Sequence, residues 1–125
     1  MNRMLLVGLV TCCAPMLAHH GTNASYDLGK NVTLKATVTE FVWSNPHCAL
    51  FFDVKDDQGN VVHWVGETNS PGVLLRSGWT RKVMQPGDLI TITVHPSRAG
   101  TATGVIQTVV LPDGKVLERG AGAAQ

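Results

Sequence analysis

Between Asn31 and Trp43 the chain reads NVTLKATVTEFVW, and apolar side chains recur at alternate positions: Val32, Leu34, Ala36, Val38 and Val42. A period of two puts these on one face of an extended segment and Lys35 with the threonines on the other. Such a strand has one oily face and needs a sheet or barrel wall to cover it, which sets the terms for the rest of the chain. Glu40 interrupts the alternation and predicts a bulge near the strand end.

Further strands are expected at His47 to Lys55 (HCALFFDVK) and Val61 to Glu67 (VVHWVGE), joined by the turn Asp56-Asp57-Gln58-Gly59-Asn60. Ser70 to Gly78 reads as a short helix, with Ser70 as cap, Pro71 at the first position and Gly78 as stop. Pro86-Gly87-Asp88 turns into a fourth strand, Leu89 to His95. A fifth covers Gly104 to Leu111, and Pro112-Asp113-Gly114 returns it as a short Lys115–Glu118 strand. Three strands, a helix between strands three and four, then two strands is the order of an OB-like five-stranded Greek-key barrel. The expected fold class is therefore all-β, with a domain over 31–119, a polar arm over 19–30 and a disordered tail over 120–125.

The second hairpin has a testable register. Phe52 opposite Trp64 sets Val54 against Val62 and Leu50 against Gly66, a consistent core face, whereas a slip of one residue turns Trp64 out. In the first register His63 falls on the outer face opposite Asp53, and His95 shares the outer parity of Thr91 and Thr93. Both read as solvated or locally paired side chains. His47 differs, because it follows Asn45-Pro46 on a stiffened turn, faces Asn69 and lies diagonal to Glu67. Parity assigns Phe41, Trp43, Ala49, Phe51 and Val65 to the same outer face, giving an aromatic ligand face of Phe41, Trp43, Phe51 and Glu67. In OB-folds this face, with the first inter-strand loop, is where ligands lie. The competing reading is that the N-terminal arm covers the patch through Tyr26. Cys48 has inward parity and reads as an inert buried thiol, Trp64 as core, and Trp79 as a plug for one barrel end.

The N-terminus reads as an export leader over 1–18. Arg3 is the positive n-region, Met4 to Cys13 the apolar h-region, and Leu17-Ala18 the cleavage site after the Pro15 break. A lipidated start at Cys12 or Cys13 is the competing route. The apolar run is too short to span a bilayer. Cleavage after Ala18 removes Arg3, so the ten basic residues fall to nine against nine acidic ones. A neutral chain lacks the basic face that nucleic acid requires. Cys48 is then the one cysteine left, so stability must come from an apolar core rather than an internal disulfide.

Several segments together resemble a known family. They are Leu17-Ala18-His19-His20-Gly21, Tyr26-Asp27, and Val38 through His47 with its Trp-Ser-Asn-Pro-His run. The likeness continues through Ser70-Pro71-Gly72, Gly78-Trp79, Pro86-Gly87-Asp88 and Leu111-Pro112-Asp113-Gly114. The chain is similar there to a family of small exported bacterial proteins described only as a domain of unknown function. The resemblance implies export and a small β-rich domain, and no activity.

Cleavage after Ala18 would give His19 a free α-amine beside its imidazole, two nitrogens that chelate Cu(II), with His20 offering a second mode through its own imidazole. Nitrogen-rich sites favour Cu(II) among divalent first-row ions, and the low pKa of an α-amine leaves it partly available at neutral pH. Two functional classes follow. One is a periplasmic or secreted binding or accessory module holding copper between His19, His20 and His47. The other is an interaction domain whose aromatic face docks a periplasmic protein, peptide or small ligand without metal. No nucleophile–base pair, paired catalytic carboxylates or Gly-rich phosphate loop points to an enzyme.

Overall fold

A computed structural model describes residues 22–120 of the chain. The expected leader, the His19-His20 pair and the tail beyond Gly120 lie outside those residues. Among the described residues no helix is long and apolar enough to cross a membrane.

The elements are α1 (Thr22–Ser25), β1 (Val32–Val42), β2 (Ala49–Lys55), β3 (Val61–Glu67), α2 (Pro71–Arg76), β4 (Leu89–Pro96), β5 (Thr103–Val110) and β6 (Val116–Glu118). The sheet runs β3-β2-β1-β4-β5-β6, and β3 also pairs with β5. That last pairing closes five strands into an OB-like barrel, and β6 adds a sixth strand outside the closure. Closure removes the open edges that a flat sheet of these strands would present.

β1 makes closure feasible because it serves two neighbours. Val32 to Thr37 pair with β4, and Thr37 to Val42 pair with β2. Within the β2 half the register shifts: Val38 faces Phe52 but Glu40 faces Phe51, so Thr39 is the extra residue. The bulge lets the strand coil from one barrel wall onto the next. It also reverses the parity of everything after it.

The second hairpin has the expected register, with Phe52 opposite Trp64, Val54 opposite Val62 and Leu50 opposite Gly66. The Phe52 and Trp64 rings stack at 6.1 Å. The inward residues of β1, β2, β4 and β5 supply most of the core, which includes Val38, Leu50, Phe52, Ile92, Val94, Ile106 and Val109. Cys48 is buried among them.

α2 sits within the Ser70–Gly78 punctuation of the sequence. Ser70 occupies the N-cap position, but its hydroxyl makes no capping bond, and Pro71 begins the helix. Proline needs no hydrogen-bond acceptor there, so one orphan donor is avoided rather than satisfied. Ser77 ends the helix, its amide bonded to Leu74, and Gly78 follows at φ +84°. The chain then drops Trp79 into one barrel end. Trp79 is fully buried, and its indole N–H donates to the Glu118 carbonyl at 2.7 Å. One indole thus ties α2, the core and β6 together.

The closing seam is parallel: Val65 pairs with Thr103, Gly66 with Gly104 and Glu67 with Val105. A Cβ on Gly66 would sit 2.8 Å from the Ile106 side chain, and one on Gly104 would sit 2.8 Å from the His95 carbonyl oxygen. Side chains at either position would hold the last two strands apart.

Candidate functional site

The turn between β1 and β2 carries His47 at one end of the barrel. Asn45-Pro46 is a cis peptide, and the Ser44 hydroxyl donates to the His47 carbonyl at 3.2 Å. Below the turn the Cys48 amide donates to Asn69 at 3.0 Å, and the Thr68 amide returns a bond to Cys48 at 3.1 Å. The Asn69 side chain donates to the Arg119 carbonyl at 2.9 Å. The backbone under His47 is therefore fixed to the end of β3 and to the C-terminal segment, while its side chain is exposed.

Three histidines are described, and two are committed. His63 lies opposite Asp53, as the register requires, with Nδ1 at 2.6 Å from the carboxylate. That contact is largely solvated and contributes little to stability. His95 places Nδ1 at 2.8 Å from the Lys30 carbonyl. The His47 imidazole makes no hydrogen bond among the described residues, so both of its nitrogens remain available.

The aromatic face divides. Beyond the Thr39 bulge, Phe41 pairs with inward-facing Leu50, not with the outward set. Its ring lies 6.0 Å from Trp79 and 5.9 Å from Trp43, and both Phe41 and Trp43 pack against the core cluster. One inserted residue therefore corrects the shared outer parity expected for Phe41 and Trp43, and also the inward parity expected for Val42, which pairs with outward Ala49. Phe51 does lie outward, between Glu40 and Val65. Ala49 and Glu67 pair next to it.

Glu67 is not isolated. The Tyr26 hydroxyl donates to its carboxylate, and burial, followed by this bond and the nearby negative charge, pushes the phenol up to about 12. The arm that carries Tyr26 is itself tied down. Tyr26 bridges Ser97, the Asp27 amide donates to Pro96 at 2.9 Å, and the Arg98 amide donates to Ser25 at 3.0 Å. Sequence reasoning raised Tyr26 as a cover for the sheet but did not pair it with Glu67. Its signal was that it is the sole tyrosine, set in an arm otherwise polar.

Cys48 sits behind the turn with its thiol 3.8 Å from the Ser44 carbonyl, and burial pushes it above the usual thiol value. It is unsuited to act as a thiolate ligand or nucleophile. Among the described residues no three His, Cys, Asp or Glu side chains are grouped closely enough to hold a metal ion. A metal at His47 would need ligands from 1–21 or 121–125. His19 and His20 fall in the first of these segments.

No curated protein and no solved structure matches the chain. A family profile does, over residues 7–107, a stretch that takes in the His-His pair, the Asn-Pro-His turn, both ends of the Tyr26–Glu67 bond and the glycine seam. By that match, which spans most of its length, the chain belongs to DUF6152, a family of unknown function.

Proposed function

We propose that this protein is an exported binding or accessory module that holds Cu(II) between His19 and His20 at its mature N-terminus and His47 on the β1–β2 turn. The observation that carries the reading is the uncommitted His47 imidazole, set on a backbone fixed by Asn69 while His63 and His95 are already engaged. The anchored arm supports it. Tyr26 is bound to Glu67, Glu67 pairs with Ala49, and Ala49 is two residues from His47. From Thr22 the chain back to His19 can extend about 10 Å. The α-amine and imidazole of His19, with the imidazoles of His20 and His47, form the nitrogen-rich donor set that Cu(II) favours.

The experiment is intact mass and N-terminal sequencing of exported protein, metal analysis of the same sample, and copper titration of parent and His47→Ala. A mature start at His19 and a copper-induced rise in Tm that His47→Ala loses support the reading. A start at Gly21 or later, or copper binding by His47→Ala as tight as the parent's, overturns it.

A second reading keeps the outer sheet as a docking face for a periplasmic protein, peptide or small ligand. It is favoured by Phe51, half-buried and without a ring partner among the described residues, beside Val65 and Ala49. Phe51→Ser tests it by weakening capture of such a partner while the barrel stays folded.

A further inference from the structure

The outer barrel surface at the far end of β2 from His47 carries a groove of about 620 Å³ whose lining includes Lys35, Lys55, Leu89, Thr91 and Val110. β2 separates it from the His47 turn by roughly 20 Å of strand. The volume falls within the range of small-molecule sites.

The register sorts its lining by charge. Thr37 pairs with Asp53 as the last pair of the β1–β2 ladder, and beyond it Lys35 on β1 and Lys55 on β2, which the same register would set opposite each other, both line the groove. Lys35 pairs with Thr91 on β4, Thr91 with Val110 on β5, and Val110 with Val116 on β6. One cross-strand row therefore runs Lys55, Lys35, Thr91, Val110, Val116, cationic at one end and apolar at the other. Leu89, 69% exposed, lies beside the row, and Val116 at its end is 54% exposed.

Two like charges lining one groove repel. Neither lysine has a carboxylate within 4.0 Å among the described residues, and Asp53, the carboxylate in the groove, is already held by His63. An anion seated between the two ammonium groups would relieve that repulsion. From Lys35 to Val116 the row crosses three strand spacings, roughly 14 Å, the extended length of an unbranched chain of roughly ten carbons.

We propose that this row binds a monoanionic amphiphile, a free medium-chain carboxylate whose head sits between Lys35 and Lys55 and whose tail crosses Thr91 and Val110 to Val116. The site is independent of the copper reading and does not involve the arm.

The test is titration of the ¹⁵N-labelled protein with sodium decanoate, below micelle formation, followed by amide shifts. Saturable shifts confined to β1, β4, β5, β6 and the Lys55 end of β2 around the row are expected, with decanol binding more weakly. Lys35→Gln/Lys55→Gln should weaken decanoate binding by roughly tenfold or more, because two charge-assisted contacts are lost. Leu89→Ser should weaken decanoate and decanol alike, and both variants alter exposed side chains, so dispersed spectra verify their folding. Decanoate binding unchanged in the double lysine variant overturns the proposal, as do shifts centred elsewhere or no saturation. Co-sedimentation with anionic phospholipid vesicles without binding of free decanoate assigns the row to a membrane surface instead. Concentration-dependent broadening of the same amides without ligand assigns it to a second copy of the chain, and equally overturns the proposal.

Discussion

Gly66 and Gly104 stand directly opposite each other in the one parallel pairing among the described strands, each at a point where a side chain would collide with a neighbour. The obstacles differ in kind. At Gly66 the contacts are the fully buried Ile106 side chain and the Phe52 ring, so relief takes repacking of the core rather than a shift of a strand. At Gly104 it is the His95 carbonyl and the Val94 Cβ, which cannot move without shifting β4.

Gly104→Ala is therefore expected to destabilise by about 1–3 kcal/mol, and Gly66→Ala by less. Urea denaturation of both variants checks the order. Equal stability in all three proteins would mean the seam is looser than the backbone indicates.

The two phenylalanines flanking the bulge make a second comparison. Phe41 touches Trp79 and the core, so Phe41→Ser should cost roughly 2 kcal/mol or more. Phe51 faces outward, so Phe51→Ser should cost about 1 kcal/mol or less. Reversal of that order in thermal melts would place the bulge elsewhere than Thr39.

Tyr26 is the sole tyrosine, so phenolate absorbance reports it alone. Its titration midpoint should lie near 12 rather than the ordinary 10.0. Glu67→Gln should lower the midpoint only in part, because burial is the larger cause. Since the folded value is raised, the protonated phenol is the form that folding favours. Its stabilising contribution is complete below pH 10 and lost as pH rises through about 12. The stability difference between parent and Tyr26→Phe should shrink across that interval, and a constant difference would remove the bond to Glu67.

Cys48 offers a local probe. Buried and with its thiol pushed up by burial, it should react with a disulfide reagent at mildly alkaline pH at least roughly a hundredfold more slowly than in urea-unfolded protein. Fast labelling of the folded chain would show that the barrel end beneath His47 opens readily.

Much of this architecture was legible in the sequence because its signals are local. The alternation from Val32 to Val38, the Phe52–Trp64 register and the Pro71–Gly78 punctuation each depend on neighbouring residues, and each specifies its element. The face of Phe41 was not legible, although Glu40 flagged a bulge, because one inserted residue flips every later side chain and parity was carried through it unchanged. The Tyr26–Glu67 bond and the engagement of His95 by Lys30 join segments distant in sequence, so no local pattern encodes them. Position on the Pro46 turn singled out His47, but its freedom from partners emerged only once the other two histidines were seen to be occupied.

The parallel seam also has a consequence in time. β1 cannot complete its pairing until β4 has been synthesised, and β3 cannot close the barrel until Thr103 to Val105 exist. Local β1-β2-β3 hairpins can form early, but the pairings that turn them into a barrel are remote, and such topologies fold on the slow side, roughly milliseconds to seconds. A chain cut short before residue 103 would leave the β3 edge unpaired, the form most open to edge-to-edge association. For this molecule the hazardous interval is the one between the emergence of the meander and the arrival of Gly104 opposite Gly66.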